Sequence, residues 1–464
     1  MFHRLLAIAL SASLAACANL QLQELPSAAA LATAPATWQA PLPHNGQPTE
    51  LANWWQQFRD PALSLLIESA QNNSVSVAAA HARIEQSRAT LAGAQAALGP
   101  TLDALGSLSR GQPDVSARSG ISAAASLQAQ WEIDIFGRNG AARDAALARL
   151  DSASASWHDA RVSVAAEVAQ QYTTLRACEA QLVQTRLDAQ SRQETARLTD
   201  LTARAGFQAP SSAALTRASA AQGSSLLTQQ TAQCTTIVKA LVAMTGLDEP
   251  GLRGRLADNA GRLPAPAFIN VSSVPAQAMA QRPDLTAAAR NVLASSADIA
   301  SSKALLQPRI SLGGSIGAGT FASGNLTNSG ATWNLGPVSL TVPLFDGGRQ
   351  RANIEAARAR YDESVAVYAA TMRLAVREVE EALITLQSTA ARNADAQIAS
   401  DGFAASYIAA QARYRGGLSN LFELEDARRS ALQAQGALIE LQRERVAAWI
   451  SLYRALGGGW TNSP

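Results

Sequence analysis

The chain has 464 residues, 38 Lys plus Arg against 36 Asp plus Glu, and a formal net charge of +2. That near balance leaves no electrostatic footprint for nucleic acid. Aromatic content is 5%, and the heavy use of Ala and Ser suits long helices packed closely through small side chains. By length three domains would fit, but an internal repeat reduces the chain to one unit used twice.

Residues 1–16 read as a signal peptide. His3 and Arg4 form a short positive region, and Leu5 to Leu14 is an apolar stretch too short to span a bilayer as a mature helix. Leu14-Ala15-Ala16-Cys17 resembles a bacterial lipobox, in which the cysteine becomes the lipidated first residue. An ordinary signal peptide with an incidental cysteine is the plainer alternative. Ala18 follows rather than Asp, which by resemblance favours the outer membrane. After Cys17 no apolar run of about 18 residues recurs, so any bilayer crossing must be β-barrel.

Residues 17–60, rich in Ala, Pro, Thr and Gln, read as an extended tether. Trp54, Trp55 and Phe58 open the folded part, and Asp60 caps a helix whose first turn holds Pro61. A first structural repeat covers 61–265, with helices to Leu98, a β-hairpin at 101–135 and a helical hairpin at 137–246. A second covers 266–456, with a β-hairpin at 309–345 and a helical hairpin at 347–456, before a tail at 457–464.

The strands show period two. Ile121, Ala123, Ala125, Leu127, Ala129, Trp131 and Ile133 alternate with polar residues, and Leu102, Ala104 and Leu108 mark a partner turned through Gly111 to Pro113. Ile310, Leu312, Ile316 and Ala318 repeat the pattern, and Trp333 to Phe345 is the return strand, with a phase slip at Gly336-Pro337 that predicts a bulge. The glycines from Gly313 to Gly319 lack the helix and Lys-Ser/Thr of a phosphate loop. Strands of about 10 to 15 residues cross a bilayer when tilted, but four cannot close a barrel, whose minimum is about eight, so spanning requires an oligomer. A soluble sandwich is the alternative, but nothing remains to cover its second face.

Residues 137–205 and 347–415 form helices of about 100 Å by helix rise. Their return helices, 211–245 and 419–456, are shorter, so 75–98 and 286–307 fill the remaining height of the columns. Gly206 marks one hairpin tip, and Gly416 with Gly417 the other. Gly206 and Gly417, like Ser219 and Ser430, are 211 residues apart. Ser419 is expected to cap the last helix, with Glu423 and Glu425 near its positive end.

Cys178 and Cys234 each lie 28 residues from Gly206, four whole heptads, which puts them at one height on one face of an exported protein. A disulfide is expected. Helix axes usually stand about 8 to 10 Å apart, more than a bridge spans, and buried free cysteine is the alternative. His3, His44, His81 and His158 are scattered, with no spacing that suggests a metal site. His81 and His158 read as solvated, Gly457 to Gly459 has no phosphate-loop context, and no enzyme activity or cofactor is expected.

Six motifs carry a resemblance: Trp131-Glu-Ile-Asp-Ile-Phe-Gly-Arg138, Gln281-Arg-Pro-Asp-Leu285, Val342-Pro-Leu-Phe-Asp-Gly-Gly-Arg349, Arg377-Glu-Val-Glu-Glu-Ala-Leu383, Arg413-Tyr-Arg-Gly-Gly417 and Leu452-Tyr-Arg-Ala-Leu-Gly-Gly-Gly-Trp460. With them the chain resembles the TolC-like outer membrane efflux channels, in the OprM-like lipoprotein branch that serves resistance-nodulation-division tripartite systems. Gln208-Ala-Pro-Ser at the first tip departs from the family's acidic, leucine-rich pattern. The resemblance implies a mixed α and β membrane protein: duplicated helical hairpins forming a periplasmic α-barrel, and a trimeric twelve-stranded transmembrane β-barrel. It implies a homotrimer anchored to outer membrane lipid through Cys17, an adaptor (membrane fusion) protein and an inner-membrane efflux pump. It implies a passive duct for drugs or other small solutes. The exit duct of a type I protein secretion system and a structural lipoprotein without a pore are the alternatives. By resemblance Phe422, Glu423, Asp426 and Arg429 line a closed periplasmic aperture. The plainer reading is a solvated helix face with Glu425 paired to Arg429.

Overall fold

The computed structural model describes residues 38–40, 55, 57–112, 119–264, 279 and 281–460. Cys17, the signal peptide and most of the tether lie outside the described residues. Asp60 accepts the Ala62 and Leu63 N–H groups at 3.1 and 3.4 Å, and Pro61 opens helix α1 (Pro61–Asn73). Ser74 caps helix α2 (Val75–Ala96). Strands β1 (Thr101–Gly111) and β2 (Gly120–Ile133) follow, then helices α3 (Arg138–Arg204), α4 (Pro210–Thr245) and the short α5 (Glu249–Leu256). The second series is α6 (Pro283–Ala304), β3 (Arg309–Ser323), β4 (Leu326–Thr341), α7 (Arg349–Arg415) and α8 (Leu421–Ala455). Helix α6 starts three residues before the expected Thr286, because Arg282 is extended ahead of a proline suited to a first turn.

Helices α3 and α7 have 67 residues each, about 100 Å. Near the sheet α3 packs on α2 and α6, and towards its far end on α4 and α8. Helix α7 packs on α6 and α8. Two continuous columns therefore alternate with two broken ones. At one break the Asn73 side chain of α1 donates to the Thr245 carbonyl that ends α4, at 2.9 Å. At the other Arg282 donates to the Ala455 carbonyl that ends α8, at 2.8 Å. Small residues let these columns approach: Ser152 of α3 donates to the Ala287 carbonyl of α6 at 3.0 Å. Gly457 belongs to the second break, since a Cβ there would stand 2.1 Å from the Gln281 carbonyl oxygen. Its role is close packing.

The strands form one antiparallel sheet in the order β1-β2-β3-β4. Register aligns Ala104, Leu127, Ile316 and Trp333 on one face and Asp103, Gln128, Ser315 and Asn334 on the other. The shift between Leu312 and Gly314, opposite Gly336-Pro337, is the bulge that the phase slip predicts. Each hairpin enters its long helix through an aspartate. Asp134 accepts the Asn139 and Gly140 N–H groups at 3.1 and 2.7 Å, and Asp346 those of Gly348 and Gln350 at 2.9 and 2.8 Å. The Gln350 and Gly348 donors hold Asp346 below the usual carboxylate range.

His158 corrects the expectation of a solvated ring. It is half-buried, 5.5 Å from the Trp460 ring and 4.8 Å from Trp157. Burial first, and then Arg161, holds its pKa below the ordinary histidine value.

Candidate functional site

Both hairpin tips use the same turn. Gly206 at φ +80° and Gly417 at φ +74° take the left-handed conformation that glycine adopts freely. The Phe207 N–H donates to the Thr202 carbonyl at 2.9 Å and the Leu418 N–H to the Arg413 carbonyl at 2.8 Å, each closing the last helical turn. Gly416 is the residue at which α7 ends. Phe207 and Leu418 are left projecting, 84% and 80% exposed. The expected cap is corrected here. Asn420, not Ser419, accepts the Glu423 N–H, at 2.9 Å, and the Ser419 hydroxyl is buried without a partner.

The four gate candidates divide. Phe422, Asp426 and Arg429 are exposed on one face of α8, with Asp426 and Arg429 3.8 Å apart. Phe422 and Arg429 line a cavity of about 670 Å³ between α4 and α8, floored by Arg192 of α3. Glu423 turns away and pairs with Arg413, tying the two sides of its own tip.

The residues that join the two hairpins are others. Arg428 is 1% exposed and pairs with Glu425 at 2.5 Å and with Asp188 of α3 at 3.6 Å. It also donates to the Ser191 and Thr195 hydroxyls at 3.2 and 3.3 Å, and its guanidinium lies 5.6 Å from the Tyr407 ring centre. Arg192 of α3 donates to Asp188 at 2.7 Å and to Ser219 of α4 at 2.8 Å, and lies 3.5 Å from Glu425. Glu425 is therefore committed to Arg428 and Arg192, not to Arg429. In sequence, Asp188 with Arg192 and Glu425 with Arg428 look like ordinary surface pairs, three or four positions apart. No local signal marks them as buried. Only the docking of α8 on α3 turns two local pairs into one network.

Cys178 and Cys234 are bonded, with Cα atoms 5.6 Å apart, so α3 and α4 approach closely there. Both are buried. Among the described residues no group of three or more His, Cys, Asp or Glu side chains is placed to hold a metal ion, and no helix is long and apolar enough to cross a membrane.

The profile of the outer membrane efflux protein family matches residues 66–247 and 274–458. The chain is 32% identical over 442 residues to the pyoverdine export outer membrane protein OpmQ of Pseudomonas putida, covering 92% of each. It is 31% identical to the outer membrane protein OprJ of Pseudomonas aeruginosa, covering 89% of this chain and 88% of the relative. Among solved structures it superposes on the outer-membrane channel OprN with a TM-score of 0.80 at 26% identity, covering 92% of this chain and 98% of that one. The open state of the Neisseria gonorrhoeae MtrE channel gives 0.75 at 25% identity, with 92% and 98% covered. Long helical columns, a sheet with one apolar and one polar face, and these matches agree: the chain belongs to the outer membrane efflux protein family and is an outer membrane efflux channel of TolC-like fold that extends into the periplasm.

Proposed function

We propose that three copies form the working unit, a passive exit duct served by a periplasmic adaptor and an inner-membrane pump. The sheet carries this reading. Among the described residues, strands β1 and β4 have no outer neighbour, while Leu127, Ile316 and Trp333 are exposed on the apolar face. Four strands cannot close a membrane barrel, but twelve can, with the apolar rows in lipid and Gln128, Ser315 and Asn334 lining the lumen. Val367, Ile384 and Ile398 are exposed along α7 and would be covered by the next copy.

At the tips, Phe422 supplies an apolar ring and Asp426 with Arg429 a charged one. Glu423 shapes the aperture from behind, through Arg413. Three carboxylates brought near one axis repel each other and attract cations. Cys17 carries the lipid anchor, a second membrane attachment beside the barrel. The cargo is a small solute. The relatives named for pyoverdine export and toluene efflux carry chemically different molecules, as a duct without a specific pocket allows.

The test is the purified full chain in planar lipid bilayers. The expected result is stepwise ion conductance from a cross-linkable trimer. A folded trimer that gives no steps in any gating variant would overturn the reading. Mass spectrometry of the mature N-terminus checks Cys17: an unmodified terminus excludes the anchor.

A further inference from the structure

The second hairpin carries two glycines that packing within the chain does not require. Gly402 of α7 and Gly436 of α8 are both helical, and a Cβ added to either would meet no atom within 4 Å. Glycine is a poorer helix former than alanine, because its backbone loses more freedom, and alanine is abundant around both positions. The two glycines stand at one height. Arg413 with Glu423 and Arg392 with Glu444 are ion pairs between α7 and α8 in a single register, and that register sets Gly402 opposite Ala434. Gly436 is two residues further on, about 3 Å by helix rise. Both glycines lie about 25 Å from the turn at Gly417.

This is also where the second hairpin is least held. Within the chain, Ser400 is the one buried residue of α7 between Thr389 and Ala410, and α8 buries none between Ala431 and Leu441. Firm contacts lie on either side. Towards the tip, Tyr407 meets Ser191 at 2.8 Å, Tyr414 meets Thr199 at 3.1 Å, and Arg428 pairs with Asp188 of α3. Towards the sheet, Gln170 of α3 donates to the Ala447 carbonyl of α8 at 3.0 Å. The first hairpin is built the other way. Ala189 and Gly223 stand 17 residues either side of Gly206, and both are buried. Gly223 is a packing glycine, since its Cβ would lie 2.8 Å from Arg192 Cδ. Further from the tip, the Cys178–Cys234 bond staples α3 to α4.

Few buried contacts together with helix-weakening residues are the physical marks of a segment that opens locally. We propose that Gly402 and Gly436 form a hinge in the second hairpin, about which its last section turns as one body while the stapled first hairpin stays straight. The Arg413–Glu423 pair holds the two helices of the turning section together. The seam at Arg428 is the catch of this hinge: it lies eight residues towards the tip from Gly436, on the turning section. Phe422 and Asp426 ride on the same section, so the turn sets the width of the aperture. That effect on width rests on the aperture reading above. The hinge itself does not.

Hydrogen exchange and conductance of the full chain test the proposal, with Gly402→Ala plus Gly436→Ala as the variant. In detergent micelles, amides of 398–406 and 432–440 in the unaltered chain should exchange at least about tenfold faster than those of 185–193 and 219–227 at the same height, and the two alanines should slow them about fivefold. Equal exchange in the two hairpins of the unaltered chain would overturn the hinge. In planar bilayers Arg428→Ala releases the catch and raises conductance, and adding both alanines should remove at least half of that rise. A rise left whole would also overturn it. So would loss of assembly on adding the alanines, which would mark the glycines as a contact with another copy. If Arg428→Ala by itself conducts like the unaltered chain, the aperture reading fails and the exchange comparison alone decides the hinge.

Discussion

The Arg428 guanidinium of α8 lies 3.6 Å from the Asp188 carboxylate of α3, and both side chains are almost wholly removed from water. A buried pair is weak evidence of net stability, because desolvation offsets attraction. Removing one partner is nonetheless costly, about 3–5 kcal/mol, since the other charge is left buried and unpaired. Arg428→Ala leaves Arg192 as the remaining cation for both Asp188 and Glu425 at the seam between the two hairpins, so that figure is an upper bound here. The expected outcome is a lower melting temperature and a several-fold rise in single-channel conductance. Arg428→Lys should not restore either, because an ammonium cannot reach Glu425, Asp188, Ser191 and Thr195 from one planar fork. Wild-type conductance in Arg428→Ala would show that this seam does not hold the aperture closed.

Asp426 and Arg429 should behave in the opposite way. They are an exposed pair, worth about 0–1 kcal/mol, so Asp426→Asn should leave the melting temperature nearly unchanged. Its effect should be on ions. In the proposed trimer, losing one carboxylate per copy should reduce cation selectivity, read as a shift of reversal potential towards zero in a salt gradient. An unshifted potential would place Asp426 away from the ion path.

Reduction of the Cys178–Cys234 bond should destabilise the first hairpin. The bond closes a loop of 56 residues, for which the chain-entropy estimate is about 4 kcal/mol. The paired substitution Cys178→Ser with Cys234→Ser should lower the melting temperature, with the loss of exchange protection concentrated in α3 and α4. Thiol labelling of denatured, unreduced protein should find neither cysteine reactive. Two labelled thiols per chain would exclude the bond.

Asp159 supplies a pH test. Burial first, then the Asp284 carboxylate, raises its pKa above the ordinary value of 3.8, against the opposing pull of Arg454 and Arg282. A group whose pKa is raised on folding favours the folded state when protonated. That contribution is fully present below the unfolded pKa and is lost as pH rises through the folded one. Asp159→Asn should therefore raise the melting temperature at pH 7, and its advantage should disappear below about pH 4. An advantage that persists at pH 3 would point to a cause other than ionisation.

Much of the molecule was legible in the sequence because it is written in local signals. Asp60 before Pro61, the period-two strands, the slip at Gly336-Pro337 and the glycines at 206 and 417 each act within a few residues, where backbone sterics and hydrogen bonding are decisive. The equal spacing of Cys178 and Cys234 about Gly206 was legible for a related reason: an antiparallel hairpin converts sequence distance into height. Ser419 shows the limit of such reading, since two adjacent residues could cap α8 and only packing left Asn420 facing the free N–H groups.

The sequence by itself determined the repeat, the strand faces, the helix lengths and the tips. The tertiary structure alone decided which charges are buried. Asp188 and Arg428 are 240 residues apart in the numbering, and nothing near either one distinguishes it from a solvated helix charge. Their partnership exists because α8 lies against α3. In the same way, Glu380 is one of three glutamates in a short run, and only the placement of the Gln39 and Ala40 N–H groups beside it selects it. Burial of a charge depends on what lies across the interface, and helical periodicity carries no record of the opposite side.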